Sequence, residues 1–324
     1  MRILAGPELF KKQFANSALT IGNFDGVHRG HLELLRILKR RSQELGFPSV
    51  VVTFNPHPLV VLAPESAPTL ITTFGQKASL IEAEGIDCLA VIEFSLEFSK
   101  LSAESFVHEV LLNSLGMRHI VIGHDYAFGR GREGNFATLT RIGNERGFTL
   151  EDLEPVGDDG QVFSSSLVRR LIADGDVSGA SRVLGRYHIL LGRVRHGRKM
   201  GRQIGFPTAN ISTLCELIPP NGVYAVMVGA GGGSLCRGVC NIGVNPTFGG
   251  VQRSIEVFLI DFSGQIYDQE LVLCFVERIR EEKKFSGADS LIEAINQDIV
   301  TTRTILDSAD GAMAKCLFAT GSET

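Results

Sequence analysis

A ten-residue stretch, GNFDGVHRGH at residues 22–31, follows an apolar run at 18–21 and holds three glycines and two histidines. Glycine lets a chain leave a strand tightly and brings backbone N–H groups close to a phosphate. A helix starting just beyond adds the positive end of its dipole. Spaced three apart, His28 and His31 share one face of a first helical turn, from which both can donate to one phosphate group. The same spacing also suits a two-histidine metal site, or a helix that merely begins with surface histidines. The Gly-Asn-Phe-Asp-Gly frame favours a nucleotide. In the other half, GRQIGFPTAN (201–210) follows a basic turn at 193–199. That patch is short and has no interleaved aromatic residues, so it does not read as a nucleic-acid surface. Further on, Glu256 would share a strand face with Phe258 and Ile260, unusual company for a carboxylate. A glutamate reaching solvent from a strand end is the plainer alternative.

These residues need elements to hold them. Residues 18–22, 49–54, 88–94, 119–123 and 148–155 read as strands, and 31–45, 74–84, 103–115 and 135–146 carry the helical period. In the first helix Leu32, Leu35, Ile37, Leu38 and Leu45 form an apolar stripe, with Lys39, Arg40 and Arg41 on the solvated side. Alternation of strands and helices predicts a Rossmann-like parallel sheet with right-handed crossovers. Ligands in such sheets bind beyond the carboxyl ends of the strands, where residues 22–31 lie. Around 174–186 the pattern changes. Strand-like runs at 190–195, 222–228, 238–242, 255–261 and 271–279 are separated by Gly- and Asn-rich turns. Residues 288–304 return to helical spacing through Leu291, Ile292, Ile295 and Ile299. This half reads as an antiparallel β-barrel with a C-terminal helix, and GAGGGS at 229–234 as a hairpin loop within it. The expected domains are 1–183 and 184–324.

The chain has 324 residues, enough for two domains, and a net charge of −4. Residues 1–185 carry 18 basic against 22 acidic side chains and the remainder 14 of each. A protein that coats nucleic acid would need a broadly basic surface. The six cysteines, Cys88, Cys215, Cys236, Cys240, Cys274 and Cys316, form no CxxC pair and no zinc-finger spacing, which points to reduced thiols. No apolar run approaches the length of a membrane span, and residues 1–7 lack a signal peptide's apolar core. The expectation is a cytoplasmic protein without membrane or nucleic-acid partners.

Four ordered motifs in the first half resemble a known family. GNFDGVHRGH is similar to the signature of the nucleotidyltransferase superfamily, specifically of prokaryotic FAD synthetases. TFNPHP (53–58), the loop IGHDYAFGR (122–130), and SSS (164–166) with Arg169 three residues later resemble further motifs of that family. Ser166 stands where the family usually has Thr, which keeps the hydroxyl. Taken alone, the prolines could merely make a rigid strand exit, residues 129–134 a disordered basic loop, and the serines a cap for helix 167–173. The resemblance implies adenylyl transfer, in which the phosphate of FMN attacks the α-phosphorus of ATP and gives FAD and pyrophosphate with Mg²⁺ assisting. It implies an ATP site of Gly22, Asn23, Phe24, Asp25, His28, His31, Gly123, Asp125, Arg130, Ser164, Ser165 and Arg169. His28, His31 and Arg169 would neutralise charge in catalysis, and Asn55 and His57 would meet the flavin.

GFPTAN resembles the riboflavin kinase signature, and 221–224, 241–243, 246–247, 255–258 and 275–285 resemble its surrounding segments. The whole chain is thus similar to the bifunctional riboflavin kinase/FAD synthetase family. The resemblance implies an ATP site of Gly201, Arg202, Gly205, Pro207, Thr208 and Asn210, with Thr208 and Asn210 as Mg²⁺ ligands. Glu256 would be the base that takes the proton from the terminal ribityl hydroxyl of riboflavin as it attacks the γ-phosphorus. Substrates would be riboflavin, FMN and ATP. Three departures stand out: Met200 and Asn245 where the family commonly has Arg, and Asp268 where it commonly has Gly. The run 281–284 (EEKK) is most simply a solvated charge cluster.

Overall fold

The apolar runs of the first half become strands of one sheet: β1 (Arg2–Ala5), β2 (Ser17–Ile21), β3 (Ser49–Asn55), β4 (Cys88–Glu93), β5 (Met117–Gly123) and β6 (Thr149–Leu153). This computed structural model describes residues 1–6, 9, 11–124, 126–196, 201, 204–230, 235–247 and 250–309. They divide into two compact units, Met1–Ser164 and Ser165–Thr324. In the first, strand order is β1-β4-β3-β2-β5-β6, with every neighbouring pair parallel. All five residues of β2 and the first five of β3 and β4 are buried, as expected of a sheet covered on both faces. β1 escapes sequence reading because only Leu4 in it is buried.

Crossovers are made by α1 (Arg29–Leu45), the short α2 (Pro58–Leu62), α3 (Phe74–Ala83), α4 (Ala103–Ser105, which widens into a π-helical stretch, Phe106–Ser114) and α5 (Phe136–Arg146). A small hairpin, β7 (Gly157–Asp158) with β8 (Gln161–Val162), ends the unit. The buried stripe of α1 is Leu34, Leu35, Ile37 and Leu38. Leu45, expected in that stripe, is exposed, because it is the last helical residue before the left-handed Gly46 cap.

The second unit opens with α6 (Ser165–Ala173) and α7 (Val177–Leu184), which pack on each other and, through α7, on the barrel. The barrel strands are β9 (His188–Arg195), β10 (Thr208–Thr213), β11 (Gly222–Ala230), β12 (Cys236–Thr247), β13 (Gly250–Leu259) and β14 (Glu270–Arg280). They close in the order β10-β13-β12-β11-β14-β9, antiparallel throughout. Sequence reading missed β10 because its first half lies in the GFPTAN motif, and α7 because it is short and contains Gly179. Residues 231–234 of GAGGGS lie outside the described residues, between the paired strands β11 and β12.

Large side chains fill the barrel. Tyr224 and Phe275 are fully buried with ring centroids 5.4 Å apart, edge to face, and the Tyr224 hydroxyl donates to the Pro220 carbonyl at 2.6 Å. Inward residues of β13 are Ile255, Val257 and Leu259. Alternation therefore puts Glu256 and Phe258 on the outer face. There α8 (Ala288–Ser308) packs over β11, β12 and β14, with Ile299 against a cluster of Val223, Val239, Phe258, Ile260 and Ile279. A bidentate ion pair pins it: Arg280 Nε and Nη2 donate to the Asp298 carboxylate at 2.9 and 2.7 Å, with Asp298 buried. None of the described cysteines forms a disulfide. Burial pushes the Cys88 thiol up to about 11 and that of Cys274 up to about 12.

At the start of β9, the buried His188 places Nε2 3.0 Å from the Leu217 carbonyl. That nitrogen must carry the proton, since a carbonyl only accepts. Burial pushes His188 down to about 4, against the opposing pull of the carbonyl bond. Its folded pKa lies below the unfolded value, so its contribution is complete above about pH 6.5 and is lost as pH falls towards 4. Loss of about 3 kcal/mol over that window is expected, measured by urea unfolding with hydrogen exchange of the barrel amides. His188→Gln should flatten the decline.

Candidate nucleotide sites

Strand order in the first unit reverses at β2. The chain runs from β2 to β3 and β4 on one side, then places β5 on the other. A crevice opens beyond the carboxyl ends where such a reversal occurs, and residues 22–28 line it as they link β2 to α1. The backbone here is unusual. Phe24, Gly26 and Val27 have φ of +50°, +80° and +37°, left-handed values that a bulky or β-branched residue rarely adopts. The Asp25 carboxylate holds the loop in that shape. It accepts from the Ile71 amide at 3.0 Å and the Thr72 amide at 3.2 Å, while the Gly26 amide donates to the Thr72 hydroxyl at 3.1 Å. Expected among the ATP contacts, Asp25 is in fact buried and turned towards these backbone groups.

The two histidines come together as their spacing predicts. His28 is the N-cap of α1 and makes no side-chain cap. Its ring stacks on His31 with centroids 3.8 Å apart, and His31 lies 5.0 Å from the ring of Phe24. Gly30 permits this, since a Cβ there would come within 3.1 Å of the His28 ring. Gly22 likewise lies under Phe24. Gly123 ends β5, and His124 beyond it pairs with Asp152 at 3.0 Å. Residues 128–134 are ordered: Phe128 and Gly134 pair as a bridge, the Arg130 amide donates to the Leu101 carbonyl at 2.9 Å, and the Arg130 side chain is exposed beside Glu133. Ser164 ends the first unit, while Ser165 and Arg169 lie on the first turns of α6 in the second.

On the β3 side of the loop, Asn23 Nδ2 lies 3.1 Å from His57 Nε2, and His57 caps α2 through Nδ1. Asn55 ends β3. Nearby, the half-buried rings of Phe54, Phe94 and Phe98 contact one another edge-on or tilted. A residue that sequence reading missed also reaches this side. Lys77 of α3 donates to the Asn23 carbonyl and the Thr53 hydroxyl, both at 3.2 Å. Burial pushes its ammonium down to about 8, opposed by Asp25. A lone lysine in a helix carries no sequence signal; the clue available was its place directly after the Thr73–Gln76 capping box.

The second site lies on the outer face of the barrel. Glu256 stands directly opposite Asn210 on one neighbour and Asn241 on the other, so the three side chains form one row. Thr208 Oγ donates to Glu256 Oε2 at 3.2 Å. Gly201 begins a turn in which the Phe206 amide donates back to the Gly201 carbonyl at 2.8 Å, and a Cβ on Gly201 would lie 3.4 Å from Thr208 Oγ. Gly205 has φ of +90°, and Phe206, just ahead of Pro207, sets its ring edge-on to Phe258 at 5.6 Å. Glu282 is exposed, as expected of the charge run, yet it is held in place. Its carboxylate accepts from Asn221 Nδ2 at 3.0 Å and lies against Gly243, in space that a Cβ would need. Asp268 adopts φ of +60°, which accounts physically for the glycine expected there. Asp125, Met200 and Arg202 lie outside the described residues, as does the side chain of Asn245.

Residues 10–167 match the family model described as FAD synthetase, and residues 184–306 that described as riboflavin kinase. A bifunctional riboflavin kinase/FMN adenylyltransferase of Pseudomonas fluorescens is 40% identical over 306 residues, spanning 94% of this chain and 98% of that protein. One of Haemophilus influenzae is 37% identical over 308 residues, spanning 95% and 100%. A crystal structure from Streptococcus pneumoniae, named as a macrolide-efflux protein, superposes with a TM-score of 0.84 at 32% identity, covering 91% of this chain and 96% of that one. Among the described residues here, no helix is long and apolar enough to cross a membrane.

Gly26 tests the strain in the first loop. Its φ is left-handed, and a Cβ would lie 2.9 Å from Ile71. Gly26→Ala should destabilise the first unit by about 1–2 kcal/mol, read as an earlier thermal transition, and should weaken binding of ATP measured by calorimetry.

Proposed function

The chain belongs to the bifunctional riboflavin kinase/FMN adenylyltransferase family, and on that premise we propose which residues run each reaction. We assign the adenylyltransferase to residues 1–183 and the kinase to 184–324, which gives α6 and α7 to the first although they cluster with the second compact unit; the riboflavin kinase match beginning at 184 supports this assignment. FMN, made from riboflavin in the barrel unit, is adenylylated in the sheet unit. The cytoplasm, where ATP and free flavins meet, is the compartment we assign.

For adenylyl transfer, the reading is carried by the stacked pair His28 and His31 at the mouth of α1. ATP lies with its phosphates over this helix start, where backbone amides and two imidazoles meet negative charge. Gly22, Asn23 and Phe24 shape the loop, Asp25 fixes it from behind, and Gly123, Asp125, Arg130 and Ser164 are assigned to the nucleotide with them; Ser165 and Arg169 are assigned to it from the family resemblance alone. The FMN phosphate oxygen attacks the α-phosphorus, a new P–O–P bond forms, and the bond to pyrophosphate breaks. The protein supplies no nucleophile; it positions and neutralises. Asn55 and His57 hold the flavin side, where the ring faces of Phe54, Phe94 and Phe98 offer apolar cover.

For the kinase, the carrying observation is Glu256 in one row with Asn210 and Asn241, bonded by Thr208. Glu256 takes the proton of the terminal ribityl hydroxyl as that oxygen attacks the γ-phosphorus and ADP leaves. Gly201, Gly205 and Pro207, together with Arg202, are assigned to the ATP phosphates. The hydroxyl, amide and carboxylate oxygens gathered here are the donor set a hard cation takes. Thr208 and Asn210 would hold Mg²⁺, which when bound offsets phosphate charge.

The two reactions should separate by mutation in the full chain, with flavins resolved by chromatography. Glu256→Gln is expected to slow FMN formation by about 10²–10⁴-fold while FAD still forms from supplied FMN. The double variant His28→Ala/His31→Ala should do the reverse. Undiminished FMN formation by Glu256→Gln would remove the base assignment.

A further inference from the structure

Lys77 is the residue of the first site that none of the motifs includes. Its ammonium sits at the carboxyl ends of β2 and β3, donating to the Asn23 carbonyl and the Thr53 hydroxyl, with the Phe74 ring 5.8 Å from it. Both acceptors are neutral. Among the described residues, no carboxylate lies within ion-pairing distance of it, and Asp25, the acidic group that acts on it, has its oxygens engaged by Ile71 and Thr72. A half-buried cation held only by neutral oxygens is costly unless an anion arrives. A neutral side chain could brace the same two groups without that cost.

We propose that Lys77 binds the phosphate monoester of the incoming flavin nucleotide in the adenylyltransferase site. This rests on the proposed function above and extends it to the acceptor substrate. Three features carry the assignment. An ammonium has three donors, and two are used in the protein. Its partner Asn23 belongs to the nucleotide loop and contacts His57, on the flavin side. The attacking phosphate has to lie between that side and the α-phosphorus above the start of α1, and the Lys77 ammonium lies against the Asn23 carbonyl in the loop that joins them. Lys77 stays protonated throughout: the phosphate oxygen supplies the electron pair for the new P–O bond, and pyrophosphate leaves with the pair from the old one.

The aim of α3 follows from local structure. Asp25 holds residues 71–72, the Thr73–Gln76 capping box starts the helix, and Lys77 is the first cation along it. The loop that cradles ATP and the helix that bears Lys77 are thereby fixed to one another.

The test compares Lys77→Gln, which can still donate to the Asn23 carbonyl, with Lys77→Arg, which keeps the charge. Both are made in the full chain and assayed for FAD formation from FMN and ATP. The expected result for Lys77→Gln is a KM for FMN raised about tenfold or more, with the KM for ATP within twofold and riboflavin phosphorylation unchanged. Lys77→Arg should recover most of the loss. Thermal unfolding monitors the fold of each variant. Equal rises in both KM values, or a lowered thermal transition with unchanged KM for FMN, would make Lys77 a structural brace and overturn the proposal. A wild-type chain that makes no FAD from FMN and ATP would instead overturn the adenylyltransferase reading beneath it.

Discussion

Around the first site, one buried carboxylate organises the rest. A negative charge behind a phosphate cradle would ordinarily repel the ligand. Asp25 avoids this because its oxygens accept from the Ile71 and Thr72 amides and the Thr72 hydroxyl, which spread the charge over backbone dipoles. The same bonds oppose the strain of left-handed Phe24 and Val27, about 1–3 kcal/mol each. They also fix the segment that leads into α3. A single interaction thus shapes the loop, orients the histidine pair and directs Lys77 to the strand ends.

The barrel solves a different problem. Its interior is filled by side chains such as Tyr224 and Phe275, so chemistry has to be done outside. An outer barrel face is flat and wet until something covers it. Here α8 and the segment after β14 flank it, anchored by the Arg280–Asp298 pair. Breaking such a pair is far more costly than its net gain on folding, so it holds position more than it adds stability. The anchored segment carries Glu282 to Asn221 and Gly243, beside the row that holds Glu256.

The two sites meet similar ligands with opposite electrostatics. In the sheet unit, the groups proposed to meet phosphate are histidines, a lysine and a helix mouth. In the barrel, the described polar groups nearest the reacting centre are a carboxylate, amides and hydroxyls, which suit a cation as intermediary and a hydroxyl as attacking group. A phosphate attacks without losing a proton, whereas an alcohol needs a base. The base role proposed for Glu256, with no protein base invoked in the other reaction, follows from that chemistry.

Much of this was legible in the chain. Apolar runs and helical periods determined the parallel sheet, the change of pattern near 174–186 and the barrel, because burial of regular elements writes its period into the sequence. Glycine spacing and two histidines one turn apart foretold the loop and the histidine pair at the start of α1, and Glu256 was marked by its apolar strand companions. Tertiary structure decided the rest. That Asp25 turns inward, that Glu282 is held by Asn221, and that Lys77 lies beside Asn23 depend on partners 40 or more residues away. Such contacts are set by how elements pack, and single residue types in ordinary polar positions leave no periodic trace of them.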